Sequence, residues 1–331
     1  EGAEYRKYMS TYAKILLMGR EYAITSRPNP LVGTGRCGWT DPPLHGPPRK
    51  GGYRECHVPR EAHVYVSADY DTIEICSLAQ QHLDWGLGSS LRDRIAAGID
   101  LHVDLAADVY GIPYDDLLAR VSQGDDEAIR MRSTCKAGNF GFMGMMGPKA
   151  CVDAYGIETF DPDGDFDAAV AEAARVRGIW HAKTPEMQDY FDVILAALDG
   201  TGSATAITAT GRQRLCDRPA QMANVYFQSR TADGAKLGIW NLSRAAYTDP
   251  ESPVYGIRPW LLLHDEVLAE VPISLVQTAA PAMAEVLRAA MAEITPDVPI
   301  GIAPNLMRRW YKKASTVRID GVYLPWEPWK R

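Results

Sequence analysis

Two apolar, strand-like stretches separated by a long run of helical periodicity constrain this chain more than anything else in its sequence. His63-Val-Tyr-Val-Ser-Ala-Asp69 is rich in β-branched and aromatic residues, which predicts a buried strand ending on an acid, with a helix following from about Thr72. Helical patterns dominate from Leu91 to Leu198, interrupted by a turn-rich stretch from Gly156 to Gly164. Trp260 to Val271 then places two apolar arms around His264 and Asp265, the pattern of a strand–turn–strand hairpin with Asp265 at its tip. That order predicts an α/β (α+β) fold in which both strand regions join one sheet and the helices form a separate lobe. Upstream, Tyr5, Tyr8, Met9, Tyr12 and Leu16 fall at helical spacing, and the Gly/Pro-rich stretch from Pro28 to Gly52 reads as a long loop.

With 46% hydrophobic and 23% charged residues over 331 positions, disorder and coiled coil are excluded. No stretch approaches the roughly 20 apolar residues of a membrane span, so no membrane partner and a cytoplasmic setting are expected. The six cysteines include no Cys-x-x-Cys pair and are expected to be reduced core residues. The formal net charge is −7, but it is unevenly spread. From Ala128 to Val152 there are Arg130, Arg132, Lys136 and Lys149 with no acid, and from Asn305 to Arg331 seven basic residues face only Asp320 and Glu327. A protein that holds a phosphate backbone would line its cleft with such segments; solvated faces would show the same counts.

Asp69 and Asp265 each stand at a strand end after an apolar run. Alone, either is a turn or cap residue. Together they suit a hard divalent cation, since Mg²⁺ takes one or two carboxylates, waters and substrate phosphates. Two such ions about 4 Å apart activate an attacking oxygen and stabilise a leaving one. Arg132, Lys136 and Phe140 lie four apart and fan along one helix face. Arg132 as a fork and Lys136 as a point charge suit a triphosphate, with Phe140 against the sugar and base; the alternative is a basic solvated helix with one core Phe.

These residues carry a resemblance. Val-Ser-Ala-Asp69-Tyr70-Asp-Thr-Ile73-Glu74-Ile75 resembles motif A of family A (DNA polymerase I-like) DNA polymerases. Arg132-x-x-x-Lys136-x-x-Asn139-Phe140-Gly141 is similar to their motif B, and His264-Asp265-Glu266 to motif C. Gly33-Thr-Gly-Arg36 with Thr40-Asp41-Pro42, Asp100-Leu-His102, Gly211-Arg212-Gln-Arg214 and Asn224-x-x-x-Gln228 fit in the same order, so the likeness runs from about Tyr5 to Trp310. It implies a right-hand palm with an antiparallel sheet and a mostly helical fingers subdomain: palm over 1–78 and 206–331, fingers over 79–205. The match begins almost at residue 1, so a thumb is expected to be absent from this stretch, with a missing thumb or exonuclease region or an accessory subunit as a partner.

The resemblance further implies template-directed transfer of dNMP from a dNTP to a primer 3′-hydroxyl, in phage or bacterial replication or repair. Asp69 and Asp265 would hold two Mg²⁺, or Mn²⁺ in their place, with the Tyr70 carbonyl as a further ligand. Arg132, Lys136 and His102 would grip the triphosphate, Lys136 also giving a proton or positive charge to the departing pyrophosphate. Glu74 would fill the space of a ribose 2′-hydroxyl. Arg36, Arg212, Asn224, Gln228 and His264 would touch primer-template DNA. Glu266 would support the metals or serve as a salt-bridged turn residue. An inactive polymerase-like nucleic-acid-binding module and a relative of single-subunit RNA polymerases are the alternatives.

The chain departs from the pattern at Gly144, where the family commonly carries Tyr. Gly138, Gly141, Gly144 and Gly147 each lower helix stability by roughly 1 kcal/mol relative to Ala, so the helix is expected to be loose or kinked there. Met143, Met145 or Met146 would fill the vacated volume, or leave a more open pocket for the templating base. Phe140, rather than Tyr, implies discrimination against dideoxynucleotides.

Overall fold

The computed structural model describes residues 12–19, 24–44, 46–47 and 52–328, so Tyr5, Tyr8 and Met9 lie outside the described residues. The chain divides into two compact units: Glu1–Ile73, Thr231–Ile294 and Ile300–Arg331 form the first, and Glu74–Arg230 with Thr295–Pro299 the second.

The first unit is built on a sheet that joins the two predicted strand regions. Its strands are β3 (His63–Tyr70), β6 (Arg258–Leu263), β7 (Glu266–Pro272) and β8 (Ile302–Met307), in the antiparallel order β6-β7-β3-β8. Leu263 pairs with Glu266, so His264 and Asp265 make a two-residue hairpin loop. A loop this short needs left-handed backbone, and His264 supplies it at φ 61°. Directly opposed residues share a face, so the β3–β7 register sets Asp69 beside Glu266, Ser67 beside Leu268 and Tyr65 beside Glu270.

That face packs on Leu261, Leu263, Met307 and Trp310. The other face of β3 carries Val64, Val66, Ala68 and Tyr70, all buried. The helix Val276–Ile294 presents Val276, Ala279, Ala280, Met283, Leu287, Ala290 and Met291 as its buried stripe, at the 3- and 4-residue spacing of an amphipathic helix. Tyr70 donates its hydroxyl to Leu287 O at 2.8 Å, tying the end of β3 to that helix.

The stretch read as a loop from Pro28 to Gly52 contains a two-stranded ribbon, β1 (Arg27–Asn29) with β2 (Gly38–Thr40). Trp39 anchors it by donating Nε1–H to Leu262 O at 2.8 Å. The C-terminal β9 (Val317–Ile319) and β10 (Val322–Leu324) form a further hairpin.

The second unit is mostly helical. In chain order its helices include α2 (Ile73–Asp84, beginning at the unit boundary), α3 (Ser90–Ala96), α4 (Leu101–Tyr110), α5 (Tyr114–Ser122), α6 (Asp126–Met143), α7 (Pro148–Tyr155), α8 (Ile157–Phe160), α9 (Phe166–Lys183) and α10 (Glu186–Leu198); α1 (Ala13–Met18) belongs to the first unit. The short α8 falls inside the expected turn-rich stretch, because burial of Phe160 organises one helical turn there. Ser89, Asp100, Asp125 and Asp165 cap α3, α4, α6 and α9 by accepting from backbone N–H groups of the first turn.

Glycines of α6 lie at its contacts. A Cβ on Gly138 would stand 2.9 Å from the Phe142 ring and 3.1 Å from Val176, and one on Gly141 2.8 Å from Cys151 Sγ. The helix stops at Met143, with Gly144 as its C-cap residue. The space beside Gly144 is taken by Asn224: a Cβ there would sit 2.8 Å from its Nδ2, so an amide, rather than one of the three methionines, occupies it. All six cysteines are free, as expected, but only Cys76, Cys135, Cys151 and Cys216 lie in the core; Cys37 is half-buried and Cys56 exposed. Among the described residues no helix is long and apolar enough to cross a membrane.

Candidate active site

In the first unit the ends of β3 and of the β6–β7 hairpin meet. The Tyr70 N–H donates to Asp265 O at 3.4 Å, which holds the hairpin tip at the C-terminal end of β3. Burial and then the charge of Asp69 push the Asp265 carboxyl up from 3.8 to about 6; the two acids therefore sense one another directly. Arg36 offsets part of that crowding, and burial draws its own pKa down. A cavity of about 260 Å³ opens here, lined by Arg54, His264, Asp265, Glu266 and Lys312 among others.

Glu266 is 4% exposed. Its Oε2 lies 3.5 Å from Lys312 Nζ, at the outer limit of a hydrogen bond, and burial raises its pKa. Lys312 Nζ also reaches Asp69 Oδ2 at 3.3 Å. Arg54, buried over the Trp310 ring at 4.5 Å, donates from Nη2 to Pro47 O at 3.3 Å.

A divalent metal fits this donor set. Two carboxylates whose repulsion raises the pKa of one of them are relieved by a cation between them. Among the described residues no group of three or more His, Cys, Asp and Glu could hold an ion unaided.

In the second unit α6 carries Arg132, Lys136 and Phe140 along one face, as the four-residue spacing predicted; the Lys136 ammonium lies 5.8 Å from the Phe140 ring centre. Arg132 closes its fork on Asp100 Oδ2, with Nε at 3.0 Å and Nη2 at 2.8 Å. The other oxygen of Asp100 caps α4, accepting from His102 N and Val103 N at 2.9 and 3.1 Å. Burial pushes the Asp100 pKa up, but Arg132 and these backbone donors outweigh it and hold the carboxyl below its usual range.

His102, buried on α4, is locked by a chain of hydrogen bonds. Trp180 Nε1–H donates to Asn139 Oδ1 at 3.1 Å, so the Asn139 amide nitrogen faces His102 Nδ1 at 3.0 Å and donates to it. The ring proton is thereby assigned to Nε2, which has no hydrogen-bond partner among the described residues. Burial, then Arg132 and Lys136, pull the His102 pKa down to about 3, leaving a neutral ring with an unsatisfied donor. The His102 and Phe140 rings lie 5.6 Å apart.

The remaining candidates are more dispersed. Glu74 sits in the first turn of α2. His264 is exposed in the hairpin loop. Arg212 follows β4 (Ala204–Ile207), precedes β5 (Gln213–Cys216), and donates to Ser229 O at 3.4 Å. Asn224 and Gln228 are neighbours on α11 (Pro219–Thr248), Gln228 Nε2 donating to Asn224 Oδ1 at 3.2 Å. Asn224 also donates to Gly144 O at 3.3 Å, satisfying a carbonyl at the end of α6.

Sequence reasoning did not single out Lys312, Arg54 or Trp180. Lys312 left one signal, the basic run after Asn305, but that run does not say which cation turns toward the acids.

Known proteins resemble this chain over most of its length. The chain is 26% identical to DNA polymerase I of Caldicellulosiruptor bescii over 288 residues, covering 81% of this chain and 30% of that protein. It is 26% identical to DNA polymerase I of Lactococcus lactis subsp. cremoris over 332 residues, covering 93% and 34%. The chain thus spans about a third of the length of these relatives. Among solved structures, the POL domain of Pol1 from M. smegmatis, in complex with DNA primer-template and dNTP, shares the fold at a TM-score of 0.63 and 22% identity, over 87% of this chain and 48% of that one. Residues 3–312 match the profile of DNA polymerase family A, and the chain belongs to that family.

Proposed function

We propose that this chain performs the template-directed DNA synthesis of its family, adding dNMP from a dNTP to a primer 3′-hydroxyl with release of pyrophosphate. The observation that carries the reading is the junction of Tyr70 N–H with Asp265 O, which sets two acids from distant parts of the sequence close enough for Asp69 to raise Asp265. Asp69 and Asp265 would hold two Mg²⁺, with the Tyr70 carbonyl as a further ligand and Mn²⁺ as a substitute. When bound, the ions lower the pKa of the 3′-hydroxyl and neutralise charge on the triphosphate.

The chain's own residues position and neutralise. The His102 Nε2–H offers a buried donor to a phosphate oxygen, and burial with Arg132 and Lys136 keeps the ring neutral before a phosphate arrives. Arg132, already oriented by Asp100, presents its remaining N–H groups; Lys136 balances charge on the leaving pyrophosphate. Phe140 takes the sugar and base, and Glu74 occupies the place of a 2′-hydroxyl, which excludes ribonucleotides. Arg36, Arg212, Asn224, Gln228 and His264 contact primer and template. In this reading residues 1–78 and 206–331 act as palm and 79–205 as fingers, in the cytoplasm of a bacterial or phage-infected cell.

Primer extension with and without Mg²⁺, using wild type and Asp265→Ala, tests the proposal. Extension that is metal-dependent and lost in the variant supports it. Undiminished extension by Asp265→Ala, or equal use of ribonucleotides and deoxyribonucleotides, contradicts it.

A further inference from the structure

The first unit holds a cation among its acids that neither the motifs nor the proposed reaction employs. Asp69 and Glu266 are direct register partners on β3 and β7, so their side chains rise side by side from one face. Like charges in that position repel. Lys312 Nζ bridges them, 3.3 Å from Asp69 Oδ2 and 3.5 Å from Glu266 Oε2. The backbone just before it places the bridge. Trp310, 2% exposed, donates its N–H to His57 O at 3.2 Å, and the Tyr311 N–H points at Met307 Sδ at 3.2 Å.

Beyond residue 312, where the family match ends, the chain turns back to brace this segment. The Trp326 ring stands 5.3 Å from that of Tyr311, and the Trp326 N–H donates to Leu306 O at 2.7 Å. Gln277 and Tyr323 exchange two hydrogen bonds, at 2.9 and 2.8 Å. A lysine carried by a free tail would pay the full rotamer entropy of bridging two acids; one on a braced segment loses less.

We propose that Lys312 is a positioning residue that holds Asp69 and Glu266 in register and, by cancelling one of the three neighbouring negative charges, weakens the affinity of Asp69 and Asp265 for a divalent ion in the absence of nucleotide. Metal occupancy then depends on the oxygens of an incoming triphosphate rather than on the protein alone. The inference rests on the polymerase reading of the Asp69–Asp265 pair.

The test is Mn²⁺ binding to the full chain without DNA or nucleotide, followed by electron paramagnetic resonance at about pH 8, where carboxylates are ionised. Lys312→Met is expected to bind Mn²⁺ about tenfold more tightly than wild type, because removing a nearby positive charge strengthens the field at the site. Lys312→Arg, which restores the charge, should return the affinity to within about twofold of wild type. Lys312→Gln carries the same expectation as Lys312→Met if the latter does not fold. Unchanged or weaker Mn²⁺ binding in the neutral variants overturns the proposal. Asp265→Asn is the separate control: if it leaves Mn²⁺ affinity unchanged, the polymerase reading of the pair fails instead.

Discussion

Three acids crowd one end of a sheet in the first unit, whereas in the second a neutral histidine and a paired arginine stand on helices, each locked by hydrogen bonds. The acids repel: Asp265 is pushed up to about 6 by burial and by Asp69. The helical cluster is satisfied apart from one buried donor, His102 Nε2, with Asp100, Arg132, Asn139 and Trp180 each paired within it. The difference separates two kinds of preparation. A cation would relieve the repulsion among the acids, whereas the pre-oriented donors of α4 and α6 suit an anion.

Four measurements put that contrast to the test. The largest effect is expected at Asp265: Asp265→Ala should lower primer extension by about a thousandfold, roughly 4 kcal/mol of barrier. The same change should leave the melting temperature unchanged or raised, because it removes a destabilising charge. A variant that melts lower would show that Asp265 stabilises the unit.

Asn139→Ala should do the opposite, unfolding at lower urea by about 3 kcal/mol because it strands buried groups on both His102 and Trp180. A loss under about 1 kcal/mol would mean that the network is not cooperative.

Acidification comes third. His82 is buried beside Glu186 at 3.9 Å, and burial pulls its pKa down from 6.5 to about 4. Between those values the unfolded chain binds a proton that the folded chain refuses. The stability of the second unit is therefore full above pH 6.5 and declines toward pH 4, and His82→Leu should flatten that decline by about 2 kcal/mol. Asp265 has the reverse sign: between pH 3.8 and about 6 the folded state takes up the extra proton, so the first unit gains over that window. Hydrogen exchange resolved by segment would separate the two, and parallel losses in both units would contradict the assignment.

Smallest is Arg132→Lys, which keeps the charge but gives up the fork on Asp100. It should raise the KM for dNTP about tenfold with a smaller change in kcat. An unaltered KM would place Arg132 in structure alone.

Much of this arrangement is legible in the sequence. The strand His63–Tyr70 and the hairpin around His264 and Asp265 follow from apolar runs rich in β-branched and aliphatic residues broken by polar turn residues, and the face shared by Arg132, Lys136 and Phe140 follows from helical spacing. The ribbon at Arg27–Asn29 and Gly38–Thr40 was hidden in a stretch rich in Gly and Pro because Trp39, bonded to Leu262, decides it from far away in the chain. Asn224, rather than a methionine, lies against Gly144 for the same reason: the amide arrives from a helix distant in sequence.

Residue identity and local spacing settle which side chains could do chemistry and on what kind of element each would sit, because those depend on residues a few positions apart. Tertiary structure alone decided that Asp69 meets Asp265, that Lys312 turns toward Asp69 and Glu266, and that Trp180 fixes the proton of His102 through Asn139. Each of those pairings joins residues remote along the chain, and charge and hydrogen bonding act through distance in space, which local periodicity does not encode.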